Sequence, residues 1–74
     1  MGRAPHPGLR RLGQRIRQVR LERGLSQEAL AHGAGLDRSY MSGIERGARN
    51  VTVLKLYAIA RALGVPVRAL FPDE

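Results

Sequence analysis

Seventy-four residues make one small domain whose core is marginal by size alone, so a partner that covers further apolar surface is expected. Thirteen basic against six acidic residues leave a net charge of +7, and twelve of the thirteen are arginine, whose planar guanidinium suits phosphate and guanine; nucleic acid is the leading partner. The lack of cysteine excludes a disulfide framework or thiolate metal site, and no apolar run approaches the roughly 20 residues that span a bilayer, so no membrane partner is expected.

Residues 1–8, MGRAPHPG, read as a flexible basic N-terminal arm, not a targeting peptide, and residues 9–74 as the folded unit. Leu9, Leu12, Ile16 and Val19 recur at helical spacing, which predicts a first helix to about Arg23 with Gly24 as its left-handed stop. Ser26 is an N-cap residue for a short second helix whose Leu30, Ala31 and Ala34 face inward before Gly33 and Gly35 break it. Asp37 caps a third helix with Met41 and Ile44 inside, Tyr40 at the border, and Arg38, Ser39, Ser42, Gly43 and Arg46 on the opposite face. Thr52 caps a fourth helix through Leu63, with Val53, Leu56, Tyr57 and Ala60 as its apolar stripe. Gly64 ends it, and a fifth begins at Pro66 before the acidic pair Asp73 and Glu74 closes the chain. No strand signal appears. The expected fold is all-α, a five-helix domain with a helix-turn-helix at helices 2 and 3.

Side chains leaving one face of a helix near its N-terminus are those that meet base edges in a DNA major groove. Arg38 and Ser39 are the first to do so after the Asp37 cap. Arg38 is able to donate two parallel bonds to guanine O6 and N7, Ser39 and Ser42 are short, and Gly43 permits close backbone approach. DNA shape then carries part of any specificity. Gln27, at the N-terminus of helix 2, is the phosphate candidate. Arg46, Arg49 and Asn50 lie in or beside a loop that follows helix 3, where backbone positioning is expected. The Tyr40 hydroxyl either reaches the DNA backbone or packs. Val65, Val67, Leu70 and Phe71 exceed what a small core covers and are the candidate dimer surface. His6 and His32 each lack a second ligand at metal spacing, so no metal and no cofactor are expected. The acids Glu22, Glu28, Asp37, Glu45, Asp73 and Glu74 form no carboxylate pair facing a pocket, and no nucleophile or nucleotide motif is present, so no enzyme is expected.

The block LSQEALAHGAGLDRSYMSGIERG, with TVLKLYAIARALGV after it, resembles the Xre family of phage repressor and Cro regulators over about Leu12 to Phe71. Within it, LDRSYMSGIERGARNVT is most similar to the controller proteins of restriction–modification systems, small stand-alone dimers. The resemblance implies base contacts from Arg38, Ser39, Ser42 and Gly43, a phosphate contact from Gln27, and an ion pair between Arg20 and Glu45 that ties helix 1 to helix 3. It implies a cytoplasmic, bacterial or phage-encoded homodimer on a palindromic operator, with RNA polymerase contacted through helix 2, where Glu28 is the acid present. With no effector domain after Phe71, no small-molecule effector is expected and control falls to the protein's own concentration. The residues alone leave two other readings open: a protein-interaction module, such as an antitoxin or bridging coactivator, and a nonspecific basic DNA-coating protein.

Overall fold

The computed structural model describes residues 6–72, so residues 1–5 of the arm expected over 1–8 and the acidic pair Asp73 and Glu74 lie outside the described residues. Four α-helices follow one another, α1 (Pro7–Glu22), α2 (Gln27–Ala34), α3 (Arg38–Glu45) and α4 (Val53–Leu63), and a 3-10 turn (Val67–Leu70) comes last. No strand occurs among the described residues.

Each boundary has a local cause. His6 accepts the Gly8 amide on Nδ1 at 2.9 Å and Pro7 sits at the first helical position, so α1 begins inside the stretch expected to be an arm. The Ser26 hydroxyl accepts from the Ala29 amide (3.0 Å), and Thr52 accepts from that of Lys55 (3.2 Å). Gly35 and Gly64 take left-handed conformations at the ends of α2 and α4. Gly33, expected to break α2, lies within it.

The expected fifth helix is a single 3-10 turn. Pro66 and Pro72 leave too few residues between them for an α-helical ladder, and the Ala69 amide reaches back three residues to the Pro66 carbonyl at 2.9 Å. The fully buried core is Ile16, Leu30, Met41, Ile44, Ile59 and Leu70, one or two side chains from each element. Each contributes about 1.5–3 kcal/mol of burial. The stripe expected on α4 needs correction: its buried residues are Leu56, Ile59, Ala60 and Leu63, while Val53 and Tyr57 are exposed. VLKLYAIARAL is apolar almost all round, so spacing alone does not choose the inward face.

Two contacts set the pose of the helices. Gly13 of α1 lies so close to α3 that a Cβ there would stand 2.3 Å from the Ile44 carbonyl oxygen. Two residues further along α1, Arg15 donates from Nε to the Ala69 carbonyl at 2.8 Å and ties α1 to the 3-10 turn.

Candidate nucleic-acid interface

Beneath the prospective site is one buried anion. Glu45, at the end of α3, accepts from Arg20 Nε at 2.7 Å and from Arg20 Nη2 at 3.1 Å. Both side chains are buried, and Arg20 also donates to the Leu25 carbonyl in the α1–α2 turn at 2.8 Å. Gln27 then donates from Nε2 to Glu45 Oε1 at 3.0 Å. One carboxylate thus receives donors from α1 and α2 while standing on α3, which fixes the angle of the α2–α3 unit. No buried side-chain nitrogen or oxygen among the described residues lacks a partner.

The α3 N-terminus is held by Asp37, whose Oδ2 accepts from the Ser39 amide at 2.9 Å, the Tyr40 amide at 3.3 Å and the Ser39 hydroxyl. The Ser39 hydroxyl first, then the two amides, hold the Asp37 carboxyl below its ordinary range, so it is a carboxylate at neutral pH. Past this cap, Gln27, Arg38, Ser39 and Ser42 line one shallow depression. Arg38 and Ser39 are exposed and Ser42 half-buried. Arg46 folds back one turn, its Nη1 donating to Ser42 Oγ at 2.6 Å.

Gly43 does not lie on the open face. It is buried, and a Cβ there would stand 2.6 Å from Arg49 Cγ, because the Arg49 stem lies across it. Arg49 carries its guanidinium carbon to 5.8 Å from the centre of the Tyr40 ring, and Lys55 Nζ stands 4.5 Å from the same ring. The Tyr40 hydroxyl donates to the Asn50 carbonyl at 3.4 Å, and the Asn50 side chain is exposed. Tyr40 therefore links the loop after α3 back to that helix with two cations beside it. Sequence reasoning did not find Lys55, since nothing local connects it to a tyrosine fifteen positions earlier. Gly13 was detectable: it falls three residues before Ile16 and seven before Arg20, on the inward face of α1, where a glycine signals close backbone approach.

Of the expected dimer residues, Leu70 is withdrawn from any surface, being 0% exposed in the core. The 3-10 turn folds it inward between α1 and α4, which sequence spacing does not reveal. Val65 and Val67 pack half-buried against that core, and Phe71 stays 53% exposed. The most exposed of the large apolar side chains are on α4, where Leu54 is 80% exposed and, with Tyr57, Ala58 and Arg61, lines an open depression. His6 caps α1 and His32 is exposed on α2.

The helix-turn-helix family model matches residues 16–70. The immunity repressor protein of Bacillus phage phi105 is 46% identical over 63 residues; the match covers 85% of this chain, and the chain spans only 44% of that repressor's length. The restriction–modification controller protein C.AhdI from Aeromonas hydrophila superposes with a TM-score of 0.88 at 48% identity, over 89% of this chain and 100% of that one. The controller protein C.Esp1396I, solved as a tetramer in complex with its natural 35 base-pair operator, superposes with a TM-score of 0.78 at 43% identity, over 82% of this chain and 80% of that one.

Proposed function

This chain belongs to the helix-turn-helix family, and from that premise we propose that it is a sequence-specific transcriptional regulator of the controller type, acting as a homodimer on a palindromic operator. The observation that carries the reading is the depression formed by Gln27, Arg38, Ser39 and Ser42: an amide, a guanidinium and two hydroxyls gathered beside the N-terminal end of α3, whose pose is fixed from below. A phage repressor and restriction–modification controllers are its relatives, and one controller is solved on its operator.

In this proposal α3 enters the major groove, with the half-sites of a dimer about 34 Å apart along one side of the duplex. Arg38 pairs with guanine, Ser39 and Ser42 meet neighbouring base edges, and the protein otherwise reads DNA shape. Gln27, Arg46, Arg49, Asn50 and Tyr40 meet phosphates, with Arg49 and Lys55 supplying charge beside the tyrosine. Gly43 serves as the slot that lets Arg49 lie against α3. The protein works in the cytoplasm, is not an enzyme, and regulates its own promoter through its concentration, with RNA polymerase met through α2 at Glu28.

The test is a pair of variants assayed on a randomised duplex library at fixed salt. Arg38→Ala relaxes the preference at one base of each half-site, losing about 1–3 kcal/mol of discrimination. Gln27→Ala weakens all sequences alike. Uniform loss from both variants would refute the assignment of roles.

The dimer surface is assigned to the outward face of α4 around Leu54 and Tyr57, with Val65, Val67 and Phe71 beyond it. Leu54→Glu replaces a side chain worth about 1.5–3 kcal/mol of burial by a charge, so the dimer dissociation constant rises at least ~10-fold. Sedimentation equilibrium measures it. An unchanged constant would place the interface elsewhere.

A further inference from the structure

We propose that the two hydroxyls of α3 are polarised in opposite senses by their own ionic neighbours, so that Ser39 reads only hydrogen-bond donors on a base edge and Ser42 reads acceptors. The inference rests on the function proposed above and specifies what the depression recognises.

A serine hydroxyl has one hydrogen and two lone pairs, and in water it rotates to suit either kind of partner. Ser39 is not left that choice, and Ser42 is left less of it. The Ser39 hydrogen is given to Asp37 Oδ2, a carboxylate that also caps the helix and so does not swing away. Hydrogen bonds to an ionised acceptor are about twice as strong as neutral ones, so a neutral base acceptor does not recapture that hydrogen. Only lone pairs are left to face the groove. They accept from adenine N6 or cytosine N4, the amino groups displayed there.

Ser42 is in the inverse situation. Arg46 Nη1 donates to its oxygen at 2.6 Å. A guanidinium has no acceptor to offer, so it takes one of the two Ser42 lone pairs and leaves the hydrogen, made a better donor by the cation on its oxygen, to face the DNA. It donates to guanine O6 or N7, adenine N7 or thymine O4. The two residues are three apart on one helix face and line the same depression. A pair of short side chains with no length to select a base by reach thus acquires a donor and acceptor code.

Atom deletion in the DNA tests this. A preferred duplex is first selected by the full chain from a randomised library, and the base pairs relaxed by Ser39→Ala and by Ser42→Ala are located. Both serines lie off the core, and thermal melting checks that each variant stays folded. At the Ser39 pair the amino group is then removed, with purine in place of adenine or 2-pyrimidinone in place of cytosine. The wild-type protein loses roughly 2- to 10-fold in affinity, the range of one neutral hydrogen bond. Ser39→Ala loses nothing further. Removing a purine N7 at that pair affects both proteins equally. At the Ser42 pair the pattern inverts: removal of N7, O6 or O4 costs the wild type and not Ser42→Ala. In Arg46→Ala, where the Ser42 oxygen is released, deletion of an amino group at that pair begins to cost affinity as well.

The inference is overturned if Ser39 couples to an acceptor atom, if Ser42 couples to an amino group in the wild type, or if Arg46→Ala leaves the Ser42 pattern unchanged. Failure to enrich any sequence from the library would overturn the proposed function itself and this inference with it.

Discussion

Glu45→Ala destabilises the fold by about 3–5 kcal/mol, a large share of what holds a domain of this size together. Removing the carboxylate strands the Arg20 guanidinium in a buried site with only the Leu25 carbonyl to accept from it, and Gln27 loses its inner partner. Breaking a buried pair from one side costs about 3–5 kcal/mol, because the remaining charge is neither hydrated nor paired. A domain of this size has on the order of 4–11 kcal/mol in total. Urea denaturation followed by circular dichroism measures the loss. Glu45→Gln keeps an acceptor for Arg20 and loses less. The double variant Arg20→Met with Glu45→Leu is more stable than Glu45→Ala alone, since it removes the stranded charge. A Glu45→Ala chain as stable as the wild type would mean that the pair does not tie α1 to α3.

Gly13→Ala destabilises the fold by about 3 kcal/mol or more, against the ordinary sign of that change. In an exposed helix interior, alanine in place of glycine stabilises by about 1 kcal/mol. Here the added carbon would stand 2.3 Å from the Ile44 carbonyl oxygen, 2.5 Å from that of Glu45 and 2.8 Å from the Glu45 carbonyl carbon. All three are backbone atoms, which do not rotate aside, so α1 and α3 must separate. Overpacking of a close contact costs about 1–3 kcal/mol when side chains yield, and these cannot. Moving α3 outward also lengthens the Arg20 to Glu45 bonds, so the two costs compound. Thermal melting checks the prediction. A Gly13→Ala chain that melts higher than the wild type would show the helices do not cross as described.

What was legible in the chain was local. The Ser26, Asp37 and Thr52 caps and the Gly24, Gly35 and Gly64 stops each depend on a residue's own backbone preference, and each stands where that preference put it. The all-helical architecture followed from them, and the family resemblance from the residues between Leu12 and Phe71. Illegible features depended on distant partners. On α4, Leu56 and Ala60 are buried as expected, but apolar residues lie on several sides of that helix, so only packing selects Ile59 and Leu63 over Val53 and Tyr57. Leu70 was assigned to the surface because nothing in VRAL shows that a tight turn folds it beneath α1 and α4. Gly43 was placed on the open face by its position in α3, and the Arg49 stem that covers it comes from six residues further on. The orientation of the two hydroxyls was likewise invisible, since a serine in a sequence carries no sign of which neighbour takes its proton.

The amide of Gln27 has two hydrogens, and Glu45 occupies one of them. If the second meets a phosphate, as proposed, the same nitrogen bridges an anion inside the protein to one outside it. A molecule whose interior has not assembled holds that amide in no fixed direction, so duplex DNA discriminates against it and draws the population toward properly packed copies. The operator then acts as an inspector of workmanship, retaining the chains that have folded and releasing those that have not.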